Sequence, residues 1–109
     1  MSNYCKKMCV LKQLSTGFAS DGKKVSGLLT AEKYGTRLTA CFSLINFAPL
    51  SEGRYVAALS DTRGGLEFFE LSATGGTLKR ESTLSLEDGF CCLICHVAFR
   101  AAPAAFGKS

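Results

Sequence analysis

Cys92-Leu93-Ile94-Cys95-His96 is the one string in this chain that matches a named chemistry. The pattern is that of c-type haem attachment, in which two thiols form thioethers and the histidine becomes an axial ligand. Such a site needs an export route, access to solvent and usually a second axial ligand. The chain has a single histidine, and its two methionines are Met1 and Met8. The motif also lies in the most apolar run, Phe90 to Phe99. If that run is extended, Cys92 and Cys95 project to opposite faces, because successive strand residues alternate. Buried small hydrophobes are the expected role, and no cofactor is expected. A dithiol exchange site fits no better, since it needs a helix N-terminus to lower a thiol pKa.

Two further patterns carry chemistry. Cys5-x-x-x-Cys9 and Cys92-x-x-Cys95 have knuckle-like spacing, and four thiolates would hold zinc tetrahedrally. A structural zinc domain is therefore one alternative, although Leu93-Ile94 lacks the Gly or polar residues that turn a backbone around a metal. Ala102-Pro-Ala-Ala-Phe-Gly107-Lys108-Ser109 fits a relaxed phosphate-loop pattern with Ala in place of the first Gly. Such a loop relies on backbone N–H groups and on the helix that follows. This gives a second alternative, the N-terminal fragment of a nucleotide-using enzyme completed beyond Ser109. Acid–base constellations are thin. Any triad would rest on His96 alone, and Glu67 and Glu70 fall on opposite faces of a strand. Asp61 and Arg63 read as turn residues. The expectation is a protein that is not an enzyme.

The elements that would position these residues are β-strands. Turn signals recur at Asp21-Gly22, Tyr34-Gly35, Ser51-Glu52-Gly53, Arg63-Gly64-Gly65, Thr74-Gly75-Gly76 and Asp88-Gly89, the spacing of an all-β sandwich or barrel. Strands are expected at Val25 to Tyr34, Leu38 to Phe47, Tyr55 to Asp61, Leu66 to Leu71, Leu78 to Glu87 and Phe90 to Phe99. Leu38, Ala40, Phe42 and Leu44 share a face, which should be core. In Leu78 to Glu87 the inward positions are Leu78, Leu84 and Leu86, with Arg80 and Ser82 interrupting them. Phe90 to Phe99 is apolar on both parities, as in a strand covered on both faces. The segment before Asp21 fits helical or strand spacing, and a strand is favoured. No crossover helix is available for a parallel sheet. The fold expected is an antiparallel β-sandwich of about six or seven strands, or alternatively a small closed β-barrel. Residues 1–100 would form the domain, and 101–109 a C-terminal tail where a longer protein was cut.

Composition bounds the partners. The chain has 109 residues, of which 47% are apolar and 20% charged, with a formal charge of +4. This is enough for one hydrophobic core without obligatory staples. Lys6, Lys7, Lys12, Lys23 and Lys24 stand against Asp21 alone, so the basic character sits at the N-terminal end and the middle is slightly acidic. These lysines are accompanied only by Tyr4 and Phe18, which reads as a solvated end, not a nucleic-acid or membrane footprint. After Lys6-Lys7 the apolar run stops at Lys12, too short for a secretory signal. Six cysteines without an export signal imply free thiols in a reducing compartment, so a cytoplasmic protein is expected. The function expected is a protein-interaction or accessory module. Its partner would be another protein or a second copy of the chain, a homodimer included. Tyr34, Tyr55, Phe68 and Phe69 are the candidate contact residues.

Overall fold

A computed structural model describes residues 4–14, 24–48, 54–97 and 101–109. Among the described residues eight strands follow one another: β1 (Tyr4–Gln13), β2 (Ser26–Tyr34), β3 (Arg37–Ile45), β4 (Arg54–Asp61), β5 (Leu66–Leu71), β6 (Gly75–Glu81), β7 (Phe90–Val97) and β8 (Ala101–Lys108). Every pairing is antiparallel, in one sheet ordered β5-β4-β7-β8-β1-β2-β3-β6. The expected two-layer sandwich is thus replaced by the barrel alternative: a single sheet curls until its edge strands β5 and β6 lie side by side, nearly closed.

Alternation dictates the interior. On β3, Leu38, Ala40, Phe42 and Leu44 all point in and are at most 7% exposed. Leu11, Leu29, Leu59, Phe69, Ile94 and Tyr55 meet them from other strands, and the Phe42 and Phe69 rings lie 5.9 Å apart. Each such side chain contributes roughly 1.5–3 kcal/mol on leaving water. Tyr55 keeps its hydroxyl satisfied by donating to the Ala48 carbonyl at 2.8 Å.

The seam between β5 and β6 carries no ladder beyond a Ser72–Gly75 bridge. Side chains close it instead. Arg80 lies over the Phe69 ring, 4.7 Å from its centre, and pairs with Glu67 at 3.3 Å. Glu67 also accepts from Ser82 Oγ at 2.8 Å. These contacts explain the two polar interruptions read in this stretch. Glu67→Ala should cost about 1–2 kcal/mol, because the largely buried Ser82 loses its acceptor. Hydrogen exchange would then quicken in β5 and β6 before the rest of the sheet; uniform exchange across the barrel would show that Glu67 does not hold the seam.

Leu78 to Glu87 is not one strand. β6 ends at Glu81, and residues 82–86 form an extended strap across the barrel end where β1, β3, β5 and β7 begin. Leu84 and Leu86, both 1% exposed, plug that end. Ser82 N donates to Thr36 O at 2.8 Å, Lys33 Nζ donates to Leu84 O, and Ser85 N donates to Asp61 at 2.7 Å. Alternation survives here because an extended strap also has period two. Asp61 further accepts from Arg63 N at 2.8 Å and Gly65 N at 2.6 Å, which fixes the β4–β5 hairpin.

The N-terminal segment is strand β1, as favoured. Of residues 101–109, expected to be a tail, Ala101–Lys108 form β8, which fills the place between β7 and β1. The turn signals at Asp21-Gly22 and Ser51-Glu52-Gly53, and Phe99, lie outside the described residues.

Candidate functional site

The structure spreads the chemistry-bearing residues apart. Along β7, Phe90, Cys92 and Ile94 are buried in the core, while Cys91, Leu93, Cys95 and Val97 alternate outward and are half-buried. Cys92 and His96 therefore share the inner face and Cys95 takes the outer one. His96 packs by its ring against Tyr55, with centres 6.2 Å apart. Of the four sequence-spaced cysteines, Cys5, Cys9 and Cys92 fall on the inner face, so Cys95 cannot complete a tetrahedron with them. Among the described residues no group of three His, Cys, Asp or Glu side chains converges as metal ligands. Burial pushes the Cys9 thiol up to about 11 and also raises Cys92 and Cys95, so these groups stay protonated at neutral pH. Protonated thiols are poor nucleophiles. The phosphate-loop pattern is an extended strand, with the inner face of Gly107 against β1.

The carboxylates of Glu67, Glu81 and Asp61 are engaged within the fold. A hollow of about 450 Å³ is lined by Thr36, Glu67, Glu81, Ser82 and Thr83. Glu67 is held by Arg80 and Ser82, and Glu81 accepts from Thr36. Asp61 has a lowered carboxyl pKa, caused first by the Ser85 N–H and then by those of Arg63 and Gly65. Its role is to hold backbone in place.

What remains is the outer wall. One register line runs Phe68 (β5), Ala58 (β4), Leu93 (β7), Phe106 (β8) and reaches Lys12 (β1). A second line runs Glu70, Val56, Cys95 and Pro103. A third runs Leu66, Ser60, Cys91 and Lys108. Leu66 is 54% exposed and Phe68 56%; Val56, Ala58, Leu93, Cys95 and Phe106 are half-buried. The result is an apolar face four strands wide whose charges sit only at its borders. The opposite wall is more polar: Thr39, Ser43, Thr77, Lys79 and Glu81 alternate outward there, with Cys41 and, at one end, Ile45 among them. Contiguous exposed apolar surface of this kind marks interaction sites.

Of the four contact residues expected from the sequence, Phe68 lies on this face. Tyr34 is exposed on β2, where its ring lies 6.5 Å from that of Tyr4, on another side of the barrel. Tyr55 and Phe69 are each 1% exposed; both point inward by strand parity, so both are core and leave the contact set. Sequence reading did not single out Val56, Leu93 and Phe106. The signal was present: the second apolar parity of Phe90 to Phe99 was read as a covered face, and this chain leaves it outward. Comparison with protein-family models, curated proteins and solved structures gave no match.

Proposed function

We propose that this chain is a non-catalytic interaction module of the cytoplasm, binding another protein chain through the outer face of β5, β4, β7 and β8. The observation that carries this reading is the register line Phe68–Ala58–Leu93–Phe106, apolar on the outside of the barrel while the opposite wall is more polar. The raised thiol pKa values and the engaged carboxylates support a binding role over a chemical one.

A photo-crosslinking residue at position 68 is expected to give covalent protein adducts in cells that produce the chain. The same group at Thr39, on the more polar wall, is expected to give none. Equal labelling at the two positions, or none at position 68, would sink this reading.

A further inference from the structure

The seam between β5 and β6 has unused backbone groups on both sides. Ser72 and Gly75 exchange N–H···O bonds across it at 3.1 Å, and alternation from that pair assigns the rest. The N–H and C=O groups of Leu66, Phe68 and Glu70 on β5 point into the seam, as do those of Thr77, Lys79 and Glu81 on β6. The intervening parity bonds away from it: Gly65 O accepts from Asp61 N, Thr74 O accepts from Leu44 N, and Ser82 N donates to Thr36 O. Among the described residues the Ser72–Gly75 pair makes the only backbone hydrogen bonds across the seam.

The seam is also open to water. On β6 the inward positions are Gly76, Leu78 and Arg80, paired with Phe42, Ala40 and Leu38 of β3. Those three β3 residues are at most 4% exposed, and a closed barrel would bury their β6 neighbours equally. Instead Gly76 is exposed, Leu78 is half-buried and 42% of the Arg80 side chain meets solvent. The backbones of β5 and β6 come within 8 Å of each other at few points, whereas the paired β4 and β5 do so along their length. Two strand spacings, about 9.6 Å, is the width that one more strand fills.

We infer that this slot takes an extended segment of a partner protein as a further strand, antiparallel to one edge and parallel to the other. Facing edges with unpaired groups favour such strand addition. The site is separate from the outer face proposed above, and either can be occupied without the other. A second copy of this chain has no loose strand to offer, since each of its described strands is already hydrogen-bonded to a neighbour.

The residues facing each other across the slot define the guest. Counting out from Ser72–Gly75, Phe69 lies opposite Leu78 and Glu67 opposite Arg80 on the inner side; the 3.3 Å contact of Glu67 with Arg80 agrees with this count. On the outer side Phe68 lies opposite Lys79. The guest therefore carries an apolar side chain between Phe69 and Leu78, and a short hydroxyl residue between Glu67 and Arg80 that hydrogen-bonds to both. Acids and bases line the slot together, so a segment of either net charge meets repulsion and a neutral one fits.

Residue-resolved amide hydrogen exchange of the whole chain tests the inference, with acetyl-Thr-Val-Thr-Val-Thr-Val-Thr-amide as the probe. Before the peptide is added, the six N–H groups that point into the slot should exchange about tenfold faster than those of Phe69 and Leu78, which lie in ladders. With the peptide at about 1 mM, both rows should slow about tenfold. A peptide with proline at its centre should leave them unchanged. Lys79→Pro removes an N–H that points into the slot, not into the β3 ladder. It should keep the fold and weaken the peptide about fivefold, the effect of one backbone hydrogen bond. Rows already slow in the free protein, protection of one row without the other, or no protection at all would each overturn the inference. So would a peptide whose effects fall only at Leu93 and Phe106 on the outer face.

Discussion

Gly107→Val is expected to abolish cooperative folding, while Lys108→Ala leaves the melting temperature almost unchanged. A Cβ at position 107 would lie 2.3 Å from the Val10 carbonyl oxygen and 2.7 Å from Cys9 Sγ. The first obstacle is backbone, belonging to the neighbouring strand β1, and cannot swing aside. Relief would require β8 to leave β1, although β8 joins the two halves of the sheet. Overpacking usually costs about 1–3 kcal/mol, and more where backbone must move. A domain of this size has a total stability of about 5–15 kcal/mol. Lys108 is exposed, and strand parity turns its side chain outward. Thermal and urea unfolding followed by circular dichroism would measure both variants. A phosphate-loop role predicts the reverse ranking, with Lys108 critical for ligand-dependent stabilisation. A Gly107→Val protein melting within about 5 °C of the parent would show that β8 is not seated against β1 as described.

Asp61→Asn should lower stability by about 2–3 kcal/mol and remove part of the acid sensitivity. The carboxylate accepts three backbone N–H groups, from Arg63, Gly65 and Ser85, and so ties the β4–β5 hairpin to the strap. Hydrogen bonds to a charged acceptor are worth about 1.5–3 kcal/mol each. An asparagine could keep the pair on Oδ1 but would turn an NH₂ group toward the Ser85 N–H. The sign of the pH effect follows from the lowered pKa. The folded state binds this proton less readily than the unfolded one, so the contribution is complete above the ordinary carboxyl pKa of about 3.9 and is lost as pH falls through the lower, folded value. Urea titrations between pH 2 and 7 should therefore show the parent losing more stability on acidification than the variant. Parallel pH curves for the two proteins would remove Asp61 from this role.

Much of the barrel was legible because alternation is a local signal. Leu38, Ala40, Phe42 and Leu44 identified the inner face of β3, and Leu66 to Leu71 gave β5 with its boundaries. What a single sequence could not supply was pairing. A curled sheet and two stacked sheets present the same alternation on each strand, so closure depends on long-range register that no local pattern records. β8 escaped notice for another reason: Ala101-Ala-Pro-Ala-Ala is poor in β-branched residues and contains a proline, so tertiary packing overrides a weak propensity. Pro103 sits at a register shift, where a missing N–H is tolerated. The candidate face was only half legible. Two apolar parities in Phe90 to Val97 showed that both sides of the strand avoid water. They did not show that one of those sides is left outward by the chain's own fold.

The place of β8 also orders events in time. Its neighbours are β7, which precedes it directly in the chain, and β1, the first of the described strands. Without β8 the pairings divide into two groups, β5-β4-β7 and β1-β2-β3-β6, each ending in an unpaired edge. Unpaired edges recruit other strands, and closure between the extremes of a chain is intrinsically slow. The two edges that β8 covers are thus the ones open to mispairing whenever it is out of place.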